Sequence, residues 1–302
     1  MKLFLNKRVV ITGGSRGIGL EIAKKLASEG AKIAILARTA EEVRLVPGTI
    51  YTAAHELESM GVEILPVVTD IRSENAVRSA VNKIVDAFGG IDILINNAGV
   101  VSLIPTLPID MKRFDLMHDV NVRGTFLLSK ICVPHLAKSD NPHILNICPP
   151  LDMKPEYFCK TLPYSLSKFG MSQCVLGMSA EFKGLGIGVN GLWPHALVAT
   201  AAISNVVGSS VTLKHCRTPN IMADAASTIL SRDGSKFSGT FYIDDVLLKE
   251  EGVTNFKRYR VDPSTDLWSD YFIPDSTPII EPMELPDLPQ NYGKVAFKNS
   301  MS

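Results

Sequence analysis

Short apolar runs alternate with longer stretches of helical spacing along most of the chain. Seven runs predict strands: RVVITG (8–13), AKIAILA (31–37), EILPVVTDI (63–71), IDILINNAG (91–99), HILNI (143–147), IGVNGLW (187–193) and GTFYID (239–244). The segments between them have the helical period. In GLEIAKKLASEG (19–30), Ile22, Ala23, Leu26 and Ala27 fall on one face, and Gly30 ends the pattern as a C-terminal glycine does. Ser73 predicts the cap of a helix that runs to Phe88 and stops at Gly89-Gly90. Further helical stretches cover 110–136 and 160–182. Repeated strand-then-helix order requires right-handed crossovers. The expected fold is therefore α/β: a Rossmann-type doubly wound parallel sheet of about seven strands, helices on both faces, within a domain over residues 1–275. From Ile273 prolines and acids break any period, so residues 276–302 are expected to form a proline-rich disordered tail.

The glycine-rich stretch TGGSRGIG (12–19) sits between the first strand and the first helix. That context fits a dinucleotide-binding turn, where glycines let a pyrophosphate approach the backbone and the helix N-terminus offers free N–H groups. Gly13, Ser15, Arg16, Gly17, Ile18 and Gly19 are the expected contacts. A chain that binds NAD this way places an acid at the end of the second strand for the ribose 2′-hydroxyl. Here Ala37 and Arg38 occupy that place, and Arg16 lies in the loop. Arginine suits a 2′-phosphate, so NADP is the expected cofactor. Asp70, after the third strand, is expected to accept from the adenine amino group.

Composition narrows the class without changing the fold. The 302 residues are 46% hydrophobic and 21% charged, with formal net charge +0, so nothing favours nucleic acid or an anionic membrane surface. The five cysteines are odd in number and have no CxxC spacing, which predicts reduced thiols in an intracellular compartment and no zinc site. No apolar run reaches membrane length, the first residues have too short an apolar stretch for a signal peptide to be expected, and the sequence ends in KNSMS, which is not the Ser-Lys-Leu type of address.

TGGSRGIG, Asp70, NNAG (96–99), Asn121 in DVNVRGT and YSLSK (164–168) occur in this order. Together they resemble the short-chain dehydrogenase/reductase family across most of residues 1–245. GTIYTAAHELE (48–58), HILNICPPL (143–151), CVLGMSAEFKG (174–184) and LLKEEGVTNF (247–256) further resemble a hydroxysteroid-dehydrogenase-like group. Many of its members continue into a sterol-carrier-type domain, which is not expected here. The resemblance implies that Tyr164 is the general acid/base, that Lys168 lowers its pKa and holds the nicotinamide ribose, and that Asn121 supports a proton-relay water. It implies that Asn97 holds the site's geometry at the cofactor. It also implies a homodimer or homotetramer through 110–136 and 160–182, a role in lipid metabolism, and a peroxisomal or mitochondrial setting. Sequence signals alone give the cytoplasm.

One departure is plain. Where the family carries a substrate-binding serine after the fifth strand, this chain reads Asn146-Ile147-Cys148-Pro149. Proline has neither a hydroxyl nor an N–H. The spacing to Tyr164 is about two residues longer than usual, so an inserted loop is expected to supply another donor, with Tyr157 and Asp152 as candidates. Pro194-His195 replaces the usual Pro-Gly; His195 is expected at a loop surface or near the nicotinamide, and 196–219 as a substrate lid. The leading reading is an oxidoreductase moving hydride between NADP(H) and a carbonyl or alcohol of a lipid-like or steroid-like molecule. The alternatives are a catalytically weak or inactive NADP-binding regulatory or scaffold protein, supported by Pro149, and an interaction role for the tail.

Overall fold

Strands form where β-branched residues run without polar interruption, because a strand covered on both faces has no solvent side to mark. The computed structural model describes residues 2–42, 48–207, 210–277 and 281–282, with backbone alone at 205–207, 210–211 and 281–282. The strands are β1 Arg8–Thr12, β2 Lys32–Ala37, β3 Ile64–Val68, β4 Ile93–Asn96, β5 His143–Ile147, β6 Gly188–Trp193 and β7 Phe241–Ile243. They form one parallel sheet in the order β3-β2-β1-β4-β5-β6-β7. Each expected strand is present; β5 has the expected bounds and the other six are trimmed at one or both ends.

The period of two sends alternate side chains to opposite cores. Val9, Ile11, Ile33 and Ile35 enter one cluster, and Val10, Ala34 and Leu36 the other. The first cluster lies under α1 (Gly17–Ser28), α2 (Ile50–Glu58), α10 (Asn220–Leu230) and α11 (Asp244–Glu250). The second lies under α3 (Glu74–Phe88), α5 (Thr125–Leu136) and α7 (Leu162–Glu181). Burying one such aliphatic side chain is worth about 1.5–3 kcal/mol, so both faces contribute heavily.

Helix α1 begins two residues earlier than expected, at Gly17, and α3 is capped as expected: Ser73 Oγ accepts from Ala76 N at 3.3 Å. The long stretch from 110 is α4 (Met111–Met117), a π-helical segment (His118–Gly124) and α5. Helix α2 lies outside the expected elements, although Ile50, Ala53, Ala54 and Leu57 have helical spacing and Thr49 and Thr52 cap each other at 3.1 and 2.7 Å. Short helices α6 (Glu156–Cys159), α8 (Ala201–Val207) and α9 (Ser210–Lys214) flank the ends of β5 and β6. Strand β8 (Trp268–Ser269) pairs with β9 (Glu281–Pro282). Most of the expected disordered tail, 276–302, lies outside the described residues.

Candidate active site

The sheet order reverses between β1 and β4, and in open α/β sheets ligands bind at the carboxyl ends of strands beside that point. A cavity of about 480 Å³ lies there. One end is walled by the glycine loop, Arg38 and Asp70, the other by Tyr164, Lys168, Trp193 and Asp270.

The glycine loop turns because Gly13 and Gly17 take φ of +66° and +56°. A Cβ on Gly13 would meet the Asn97 amide at 2.9 Å, and one on Gly19 would meet it at 2.4 Å. Asn97 braces the turn from β4, its Nδ2 donating to the Thr12 and Gly13 carbonyls at 2.9 and 3.2 Å. Gly19 stands behind the cavity wall and allows this packing. No side chain caps α1, so its N-terminal N–H groups are open to an anion. Arg16 donates from Nη2 to the Gly48 carbonyl just before α2, its Nε has no partner, and burial lowers its pKa. Arg38 is exposed on the cavity rim. These features fit a dinucleotide with an added phosphate at the ribose end. Asp70 lines the same end, but Arg72 already donates to both its oxygens at 2.6–3.0 Å and holds its pKa low. An adenine amino group would share that carboxylate with Arg72.

At the other end, Tyr164 and Lys168 stand one turn apart on α7. Lys168 is buried; its Nζ donates to the Ile147 carbonyl at 2.6 Å, reaches Met171 Sδ at 3.4 Å and lies 4.9 Å from the Trp193 ring centre. Burial pushes its pKa down to about 8, against opposing effects of Cys148 and Asp270. The expected lowering of the Tyr164 pKa by Lys168 is not found. Burial, and then the charge of Asp270, push the phenol upward, while the Lys168 ammonium is held by the Ile147 carbonyl. Tyr164 therefore holds its proton firmly near neutral pH.

Asn121 is fully buried in the π-helical segment. Its Oδ1 accepts from Val100 N at 2.7 Å, and its Nδ2 donates to the Val100 carbonyl and Ser167 Oγ, both at 2.9 Å. The side chain thus ties the loop after β4 to α7 and stands back from the cavity wall.

The expected replacements for the serine hydroxyl lie elsewhere. Pro149 is buried, its carbonyl accepting from Ser172 Oγ at 2.6 Å. The Cys148 thiol packs against Gly191, and burial pushes it up to about 12. Tyr157 donates its hydroxyl to the Ile273 carbonyl, and Asp152 pairs with Lys154 at 3.4 Å. None of these lines the cavity.

The carboxyl group that lines the cavity at the Tyr164 end is Asp270, on a segment to which the sequence pattern assigns no role. His195 is buried rather than at a surface. Its Nδ1 lies 2.9 Å from the Asp245 carboxylate, and Arg217 Nη1 lies 2.8 Å from the same group. Burial alone would raise Asp245; His195 and Arg217 outweigh it and hold the carboxylate low. This cluster ties the loop after β6 to α11. From the expected lid, Val198 and Thr200–Ile203 line the cavity. No helix among the described residues is long and apolar enough to cross a membrane.

Comparison with known proteins fits this layout. The chain is 52% identical over 266 residues to hydroxysteroid dehydrogenase-like protein 2 of Xenopus tropicalis, covering 88% of this chain and 63% of that one. It therefore spans less than two thirds of that relative's length. A solved short-chain dehydrogenase from Mycobacterium thermoresistibile is 43% identical, with a TM-score of 0.86 over 91% of this chain and 98% of its own. One from Burkholderia cenocepacia, solved in complex with NADP, is 26% identical, with a TM-score of 0.68 over 80% and 97%. Residues 7–207 match the family model for short chain dehydrogenase, and with half-identity to a full family member on top of that match, the chain belongs to the short-chain dehydrogenase/reductase family.

Proposed function

We infer that this protein is an NADP(H)-dependent oxidoreductase acting on a carbonyl or alcohol of a lipid-like or steroid-like small molecule, with Tyr164 as general acid/base. The observation that carries this is one cavity with a phosphate cradle and two arginines at one end and Tyr164 beside Lys168 at the other. Apolar Trp193, Val198, Ala202 and Ile203 suit a hydrocarbon-rich substrate.

A bound nicotinamide supplies or takes up the hydride. The chain supplies position and a proton. The glycine loop and the α1 N-terminus hold the pyrophosphate, and Lys168 holds the ribose with an N–H not used by Ile147 or Met171. Tyr164 gives its proton to the substrate oxygen in reduction and takes one back in oxidation. NADPH consumption against medium-chain ketones, lipid aldehydes and ketosteroids tests the reading. Reduction of one class supports it. NADPH binding without turnover across the panel favours a quiet binding protein, for which buried Pro149 is the physical reason.

Arg38 sits where the family's NAD-selecting acid would be and has solvent around it. Replacing it with alanine should raise the Kd for NADPH about ten- to a hundredfold, the scale of a hydrogen bond to a charged group. The Kd for NADH should be nearly unchanged. Calorimetry with both cofactors reads the difference, and equal losses for both would refute a 2′-phosphate contact.

We also propose self-association through α4–α5 and α7, where Phe126, Leu166 and Leu176 are 52%, 42% and 56% exposed on a single chain. Light scattering at micromolar concentration should give a dimer or tetramer; a monomer would contradict it.

A further inference from the structure

We propose that Asp270 is the second oxygen-binding group of this site: protonated, it donates a hydrogen bond to the substrate oxygen served by Tyr164, in place of the hydroxyl that Pro149 lacks. This rests on the reductase reading above.

Four observations carry it. First, Asp270 shares the cavity wall with Tyr164, Lys168 and Trp193, while Pro149, Cys148, Tyr157 and Asp152 do not. Second, its Oδ1 accepts from Tyr271 N at 2.7 Å, whereas Oδ2 has no hydrogen bond among the described residues. One oxygen is anchored and the other is available.

Third, the segment is clamped in place. Asp270 N donates to the His195 carbonyl at 2.8 Å, Trp193 Nε1 to the Tyr271 carbonyl at 2.7 Å, and Tyr271 Oη to the Glu156 carbonyl at 2.8 Å. Fourth, two residues on, Phe272 is buried with φ of +70°. A bulky residue in that region costs on the order of 1–3 kcal/mol and persists only where its surroundings impose it, a pattern concentrated at functional sites. Rings of Tyr157, Tyr164, Phe169, Trp193 and Tyr271 surround it at centre distances of 4.5–6.0 Å.

A carboxyl group donates only when protonated. Burial, and then the charge of Asp244, push Asp270 up to about 7, against opposing effects of Tyr271 N and Lys168. The titratable groups around it are Tyr164 and Lys168 on α7, Cys216 and Arg217 before α10, His195 after β6, and Asp244 and Asp245 on α11. Asp270 transfers nothing in the reaction. In reduction the carbonyl π bond breaks, the carbon gains the hydride, the oxygen gains the Tyr164 proton, and the reduced nicotinamide is oxidised.

The test uses 2-decanone as the probe ketone, with NADPH binding checked by fluorescence in every variant. Asp270→Ala should lower kcat/KM by about 10²–10³, the scale of one lost oxyanion donor. Asp270→Asn keeps an N–H donor and should stay within about tenfold of wild type. Wild-type kcat/KM should fall as pH rises through about 7, where Asp270 loses its proton. In Asp270→Asn the titration of the aspartate is absent, and the remaining fall belongs to Lys168, whose pKa Asp270 no longer raises. An alanine variant within threefold of wild type, or alanine and asparagine variants equally slow with unchanged pH profiles, overturns the proposal.

Carbon-13 NMR of aspartate-labelled protein with NADP⁺ and 2-decanone reads the same group without turnover. The resonance missing from Asp270→Asn should titrate near neutrality and shift when the ketone is added. Titration near 4, as for a free aspartate, with no response to ketone overturns the proposal. If wild type binds NADPH and reduces nothing, the reductase reading fails, and this resonance still decides whether Asp270 binds the oxygen.

Discussion

Tyr164→Phe should lower kcat/KM for carbonyl reduction by about 10²–10⁴, the range of a positioned general acid, while the Kd for NADPH stays within about threefold. The separation is expected because the substitution removes only a hydroxyl. That hydroxyl makes no hydrogen bond among the described residues, so nothing in the fold loses a partner. The ring remains, 6.0 Å from Phe272. The phosphate cradle depends on Gly13, Gly17 and Asn97, far along the cavity, and Lys168 keeps its Ile147 contact. Steady-state kinetics with fluorescence titration reads both quantities. A phenylalanine variant that retained wild-type turnover would remove Tyr164 as the proton donor.

Phe272→Ala should destabilise the protein by about 3–5 kcal/mol, the cost of truncating a buried aromatic, and lower the Tm on the order of 10 °C. Phe272 is 1% exposed and touches five aromatic rings drawn from α6, α7, the end of β6 and its own segment. Alanine leaves a cavity and keeps the left-handed backbone, so the strain stays while the packing that offsets it is lost. Turnover should fall beyond the stability effect, because Asp270 and the Trp193 contact to Tyr271 lose their support. Calorimetric scanning checks the first part, and a Tm within 2 °C of wild type would contradict it. Phe272→Gly, which relieves the backbone, should be the less damaging substitution if strain matters.

The two predictions differ in how far the sequence announced them. Tyr164 and Lys168 are four apart on a helix, a local pattern that survives any detail of tertiary packing. The strands were equally legible, since a parallel strand covered on both faces is a run such as Val9-Val10-Ile11 with no solvent side. The glycine loop announced its turn through residue types alone. Helices α2, α10 and α11 carry a readable period, as Ile221, Met222, Ala225, Ala226 and Ile229 show, but no side chain caps the start of α10 or α11 to mark it.

Asp270 was different in kind. It is one acid in an aperiodic stretch, and it reaches the cavity only because the chain beyond α11 crosses back over the ends of β5 and β6. Its partners, the His195 carbonyl and the aromatic cluster, are tertiary facts with no sequence period. Tyr157 showed the same limit: its hydroxyl was a reasonable candidate by position, yet the returning segment draws it to the Ile273 carbonyl. His195 looked like a loop residue because the acids that bury it, Asp244 and Asp245, lie after the last strand.

The most direct measurement of the hydride-transfer reading is mass spectrometry of products formed with NADPH deuterated at nicotinamide C4, run across the panel of ketones, lipid aldehydes and ketosteroids. Deuterium should appear on the carbinol carbon of at least one product class, and be lost with Tyr164→Phe. Tight NADPH binding with no deuterium in any product would contradict the reading and leave a protein that holds the cofactor without using it.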